Sequence, residues 1–284
     1  MSPPNAEQRK QWNELSGPRW VALQPQLDAQ LAPFTAALFD RLAPAPGQRV
    51  LDVGCGAGAT TLALARAVGP DGLATGADLS APMLALAAER AAAAGVSNAR
   101  FLQCDAQCEA IPDAPYDALF SRFGVMFFDD PVAAFAHIGG AMKPGARLAF
   151  VCWQSVARNP WVSVPRDAAL TVLDEVKMAP PGAPGPFAFA DPARVRALLE
   201  GAGWADVAME PWETELAIGG GGDLEAATEF LMLVGPTAGA LREATEGQVR
   251  DVRAAVRAAL VPHLRDGAVR LGSATWLVTA RWPR

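Results

Sequence analysis

The sequence predicts an α/β fold, a parallel sheet with helices on both faces, and three observations carry that reading. A short apolar run, Val50, Leu51 and Val53, leads into the turn Gly54-Cys55-Gly56-Ala57-Gly58 and then into a helical stretch from Thr60 to Arg66. From residue 50 onward, strand-length and helix-length segments alternate. Asp52, Asp78, Asp105 and Ser121 fall at the ends of four successive strand segments. Open sheets of this kind bind ligands at the carboxyl ends of their strands, so these side chains gather at one edge.

Taken in order, residues 5–45 read as helices broken by Pro18, Pro25 and Pro33, with Trp12, Trp20, Leu27, Leu31 and Phe34 among the apolar positions. Residues 1–45 are therefore expected to form an N-terminal helical lid, in which Trp12 and Trp20 partly close the cleft. Two tryptophans at helical spacing also suit simple core packing. The strand before the glycine turn is followed by a second, Gly72 to Asp78, and a helix from Ala81 to Ala94, with Ser80 as its expected cap and Pro82 in its first turn. The third strand is Ala99 to Asp105 and the fourth Tyr116 to Arg122. Asp129-Asp130-Pro131 opens a helix expected to reach about Met142, terminated by Lys143-Pro144-Gly145, and Arg147 to Trp153 is the fifth strand.

Residues 154–190 interrupt the alternation with the turn-rich Pro180 to Pro186. A helix from Asp191-Pro192 to about Glu200 and a sixth strand from Asp206 to Ile218 follow. Gly219 to Gly222 reads as a hinge or plain loop, because no helix bearing a lysine follows it as in a phosphate loop. Two helices are expected over 223–264, then a last strand from Ala268 to Arg281.

Composition narrows the function. The chain has 284 residues, 51% of them hydrophobic, enough for a well-filled core, and a formal net charge of -6. That charge argues against nucleic acid, whose phosphates call for clustered Lys and Arg. No apolar run approaches the ~18 residues of a membrane span. The polar start, Met1 to Asn5, lacks the apolar centre of a signal peptide. A reduced, cytoplasmic setting is expected, with Cys55, Cys104, Cys108 and Cys152 as core thiols. Cys104 and Cys108 lack the partners of a metal site, so no metal is expected.

The glycine turn admits two ligands. Gly54, Gly56 and Ala59 fit a dinucleotide fingerprint, which would make the chain a nicotinamide oxidoreductase. The Tyr-x-x-x-Lys pair of short-chain dehydrogenases is impossible, however, because the single tyrosine, Tyr116, is followed four residues later by Phe120. Read with Gly76-Ala77-Asp78-Leu79-Ser80, Cys104-Asp105-Ala106 and Tyr116 to Gly124, the stretch Val50 to Gly58 resembles class I S-adenosylmethionine-dependent methyltransferases, in particular the small-molecule ubiquinone/menaquinone group. The likeness spans roughly residues 46–155 and weakly Gly185 to Trp204. It implies a Rossmann-like, doubly wound, seven-stranded sheet with the last strand antiparallel; the domain is expected over 46–284, with the interrupting segments at about 154–190 and 219–264 as cap insertions. It implies S-adenosylmethionine as cofactor, with contacts at Gly54, Gly56, Asp78, Asp105, Ala106 and Ser121; Asp52, a carboxylate at the mouth of the turn, with Gly58 and Leu79, completes the expected cofactor site. Asp78 would take the ribose hydroxyls and Asp105 the adenine amino edge.

The sequence lacks the Asn/Asp-Pro-Pro-Tyr/Phe motif of amino-directed nucleic-acid methyltransferases; Ser121-Arg122-Phe123-Gly124 stands there. The expected acceptor is a small molecule, apolar or aromatic, in a pocket of Trp20, Phe123, Met126, Trp153, Phe187 and Phe189, residues that would serve equally as core. No catalytic residue declares itself. His137 and Arg122 are the candidates, and for His137 a structural role outweighs that of general base. A non-catalytic S-adenosylmethionine-binding protein is the remaining alternative, and a homodimer is the assembly to test.

Overall fold

The computed structural model describes residues 3–283. It begins with α1 (Ala6–Lys10), a π-helical turn at Gln11–Leu15, α2 (Ser16–Ala22) and the long α3 (Gln24–Leu42). Contrary to expectation, Pro33 lies inside α3. Ala29, whose carbonyl loses its helical donor there, and Pro33 are both exposed, so water can serve that carbonyl. The other face of α3 buries Leu27, Leu31, Phe34, Leu38 and Leu42.

The βα alternation then runs β1 (Arg49–Val53), α4 (Ala59–Val68), β2 (Leu73–Asp78), α5 (Ala81–Ala93), β3 (Ala99–Gln103), β4 (Tyr116–Arg122), α6 (Pro131–Gly140) and β5 (Met142–Trp153). After it come α7 (Pro160–Ala169), α8 (Pro192–Gly201), β6 (Ala205–Ala217), α9 (Leu224–Leu233), α10 (Pro236–Ala240), α11 (Glu246–Leu260), β7 (Leu264–Arg265) and β8 (Ala268–Arg281). The sheet order is β3-β2-β1-β4-β5-β8-β6, with the two-residue β7 pairing on β8. Strands β1 to β5 pair in parallel, and β8 is antiparallel to both its neighbours. The main sheet is thus the expected seven strands with the last one reversed. Strand order reverses between β1 and β4, and there the connections leave a crevice.

Register shows that both faces are covered. Phe120 on β4 packs against Phe39 of α3, ring centroids 5.7 Å apart. Phe150 on β5 is level with Ser121, hence on the opposite face, and meets Phe135 of α6 at 5.8 Å. Near-continuous burial of β4 and β5 follows, as in strands covered on both sides.

Three boundaries differ from the sequence reading. The helix expected to reach Met142 stops at Gly140, and β5 takes in Lys143-Pro144-Gly145 through a bulge opposite Tyr116. A side chain at Gly139 would lie 2.2 Å from the Trp282 ring, so the helix end is set by close packing on the end of the last strand. The two helices expected over 223–264 are three, because Gly235 (φ 85) turns the chain before α10, and a Thr245–Gln248 capping box starts α11. The glycine tract is no hinge: Gly219 N–H donates to Gln30 Oε1 at 2.9 Å, and a Cβ on Gly220 would sit 3.1 Å from Ala29. It is a tight turn packed on α3. Among the described residues no helix is long and apolar enough to cross a membrane.

Candidate functional site

A cavity of about 700 Å³ opens at the carboxyl ends of β1 to β4. Its floor is the glycine turn. Gly54 (φ 71) faces Gly124, where an added Cβ would meet the Gly124 Cα at 2.5 Å, so two glycines let β1 and β4 part at close quarters. The N–H groups of Gly54 and Cys55 donate to the Ala77 carbonyl, and that of Gly58 to the Cys55 carbonyl. Gly56 N–H donates to Asp78 Oδ2 at 2.7 Å, and Ser80 N–H to Asp78 Oδ1 at 2.8 Å. The turn therefore spends these donors on the protein itself and holds the Asp78 carboxylate in one orientation. Burial pushes the Asp78 carboxyl up from its ordinary range, and the Ser80 and Gly56 N–H groups oppose that shift.

Asp105, beyond the end of β3, is 2% exposed. Its Oδ1 accepts from Gln107 N–H at 2.9 Å, and both oxygens accept from Asn5 Nδ2 at 2.9 Å. Asn5 itself lines the cavity. No lining residue from the turn or from the ends of β1 to β3 is basic; the basic ones are Arg19, Arg122, Lys177 and Arg242. The rest of the wall is aromatic and apolar. Phe123 stacks on Trp153 with centroids 4.2 Å apart, and Trp12 stands edge-on to Trp20 at 5.5 Å and to Phe127 at 5.4 Å.

The cavity brings together most of the residues singled out from sequence: Gly54, Gly56, Asp78, Leu79, Asp105, Ala106, Trp20, Phe123, Met126, Trp153, Phe187 and Arg122 all line it. Five do not. Asp52 is fully buried beneath the turn, where its Oδ2 accepts from Thr60 Oγ1 (2.6 Å) and Thr61 Oγ1 (2.7 Å) while Oδ1 has no partner. Burial pushes its carboxyl up to about 6, against the pull of those two hydroxyls. Gly58 packs behind the turn, its absent Cβ replaced by Ala87 and Phe101. Ser121 Oγ donates to the Val53 carbonyl at 2.7 Å and so ties β4 to β1. Phe189 is core, against Phe135 and Phe150. His137 is exposed on α6 and donates to the Glu109 carbonyl at 2.9 Å. Arg122 is half-buried and donates to Thr35 Oγ1 at 2.9 Å; burial lowers its pKa. Ser80 does not cap α5: its hydroxyl donates to the Trp12 carbonyl at 2.8 Å.

Sequence reasoning missed Asn5, Gln24 and Gln30. Gln24 and Gln30 had a signal, as amides among the apolar Leu27 and Leu31 on the cavity face of α3, and Gln24 Oε1 is buried without a partner. Asn5 had none, because its partners lie a hundred residues away.

Residues 50–145 match a protein family described as a methyltransferase domain. The aklanonic acid methyltransferase of a Streptomyces species is 33% identical over 118 residues, covering 42% of this chain and 54% of that protein. The nocamycin O-methyltransferase of Saccharothrix syringae is 32% identical over 116 residues, 41% of each chain. The matched region thus spans about half or less of these relatives. Among solved structures, the YcgJ protein of Bacillus subtilis shares the fold with a TM-score of 0.57 at 16% identity, over 88% of this chain and 98% of that one.

Proposed function

We propose, from the premise that residues 50–145 form a methyltransferase domain, that the chain is an S-adenosylmethionine-dependent methyltransferase acting on a small apolar or aromatic molecule. The observation that carries this is Asp78. Its two oxygens are fixed by backbone N–H groups and keep lone pairs for a vicinal diol, as a ribose requires. The floor of the cavity fits the rest of such a cofactor. Its glycine N–H groups are largely engaged, no basic side chain stands on it, and carboxylates flank it. That surroundings suit a neutral nucleoside joined to a cationic sulfur and do not suit the pyrophosphate of a nicotinamide dinucleotide.

When bound, the sulfonium supplies both the methyl group and its own leaving group. The chain's part is to bind, orient and keep water out. Asp78 and Asp105 hold the nucleoside end, and the ring wall of Trp12, Trp20, Phe123, Phe127 and Trp153 packs the acceptor and excludes water. Bringing acceptor and methyl to ~3–3.5 Å in line supplies much of the rate enhancement. Among the described residues no histidine lines the cavity. Burial pushes the lining thiol of Cys104 up to about 12 and that of Cys55 well above its usual range, so neither serves as a base near neutral pH. The fitting acceptor brings its own nucleophilic atom, an ionised oxygen, a neutral amine or a stabilised carbanion. The N-terminal helices and the segments 154–190 and 219–264 act as its cap. The reading keeps the chain in the cytoplasm, away from nucleic acid.

Calorimetric titration with S-adenosylhomocysteine tests the cofactor, and transfer of labelled methyl into a metabolite extract, followed by mass spectrometry, identifies the acceptor. Absence of binding would reject the proposal.

A further inference from the structure

We infer that Asn5 is the positioning residue that makes Asp105 a reader of the nucleobase, an inference that rests on the cofactor reading above. Asn5 lies a hundred residues from Asp105 in the chain, yet it is 1% exposed and uses its whole amide on this one corner. Nδ2 reaches both Asp105 oxygens at 2.9 Å and Gln107 Oε1 at 3.2 Å. Oδ1 accepts from Asp129 N–H at 2.7 Å, and the Asn5 N–H donates to Asp129 Oδ2 at 2.6 Å. Its backbone sits in the left-handed region (φ 52), which asparagine tolerates better than most residues. The following turns hold the same course. Arg9 pairs with Glu109, whose other oxygen accepts from Asp105 N–H, and Asn13 bridges Ala81 N–H and the Leu79 carbonyl.

The hydrogen-bond count gives this arrangement a chemical consequence. A carboxylate offers about four acceptor sites. On Asp105, Oδ1 takes Asn5 and Gln107 and Oδ2 takes Asn5, with the exposed, weakly donating thiol of Cys108 close to the carboxylate. One site on Oδ2 is left, held at a fixed angle in a group that accepts and does not donate when ionised. Such a site takes one N–H donor, the exocyclic amine of an adenine, and repels the carbonyl that replaces it in a hypoxanthine. Selection between the two bases therefore depends on the N-terminal segment as well as on Asp105.

The test compares S-adenosylhomocysteine with S-inosylhomocysteine by calorimetry on the full chain. Wild type is expected to favour the adenine compound clearly. Asn5→Gly keeps the left-handed backbone and removes the clamp. It should weaken the adenine compound at least fivefold and the hypoxanthine compound less than twofold, shrinking the preference. Asn5→Asp keeps the shape but sets an oxygen against Asp105, and should shrink the preference in the same way. Equal weakening of both compounds in both variants, with or without a lower melting temperature, would reduce Asn5 to a structural strut and overturn the inference. Unchanged affinities, or a wild type indifferent to the base, would overturn it too. A wild type that binds neither compound would instead overturn the methyltransferase reading itself.

Discussion

Replacing Asp78 by asparagine separates the ligand-binding role of this side chain from its service to the turn. In the wild type the two oxygens each accept one backbone N–H, at 2.7 and 2.8 Å. Asparagine can satisfy one of these donors and turns its own NH2 toward the other, so the turn loses one bond, worth about 1–2 kcal/mol of fold stability. Toward the ribose the loss is larger, since two charge-assisted hydrogen bonds of about 1.5–3 kcal/mol each become one neutral bond and one mismatched contact. A net loss of about 2–3 kcal/mol in binding corresponds to a dissociation constant raised roughly 30- to 150-fold. Calorimetry with S-adenosylhomocysteine reads the binding, and calorimetric melting of the unliganded protein reads the turn. A lowered melting temperature with affinity within threefold of wild type would refute the reasoning, because Asp78 would then be turn support and nothing more.

Three further outcomes are expected. Asp52 has its carboxyl raised by burial from 3.8 to about 6, so the folded state prefers the protonated form. The stability this lends is full below pH 3.8 and is lost as pH rises through about 6. Asp52→Asn should then gain up to about 3 kcal/mol over wild type at pH 8 and nothing at pH 3.5, as measured by melting across that range. Gly54→Ala forces a Cβ to 2.5 Å from Gly124 at a φ of 71, and should cost about 2 kcal/mol or more in urea denaturation. Phe34→Ala empties a fully buried site ringed by Phe123, Trp153 and Trp212, and should cost about 3–5 kcal/mol while leaving S-adenosylhomocysteine affinity within threefold of wild type.

Much of the site was legible because its geometry is local. The end of a strand fixes where the next side chains emerge, and the parallel neighbours β2 and β3 put Asp78, Leu79, Asp105 and Ala106 on one rim beside the glycine turn of β1. The misplacements share a cause. Asp52, Gly58 and Ser121 belong to the same motifs but are taken up within the protein, Asp52 by the Thr60 and Thr61 hydroxyls, Gly58 by close packing on Ala87 and Phe101, and Ser121 by the Val53 carbonyl, partners that residue type does not encode. Phe189 and Phe187 are two residues apart and equally apolar, yet one packs against Phe135 in the core and the other lines the cavity.

What the sequence determined by itself was the periodic part: the alternation of elements, the parallel sheet, the reversed last strand as the resemblance implied it, and the acid-tipped edge. All but the reversed strand, which only the resemblance supplied, follow from patterns within a few residues of each other. The tertiary structure alone decided which donors remain free at the turn, that α3 passes intact through Pro33, that the glycine tract is locked on Gln30, and that Asn5 closes on Asp105. Each of these depends on groups brought together from distant parts of the chain, where hydrogen-bond capacity and close packing are settled only once both sides are in position.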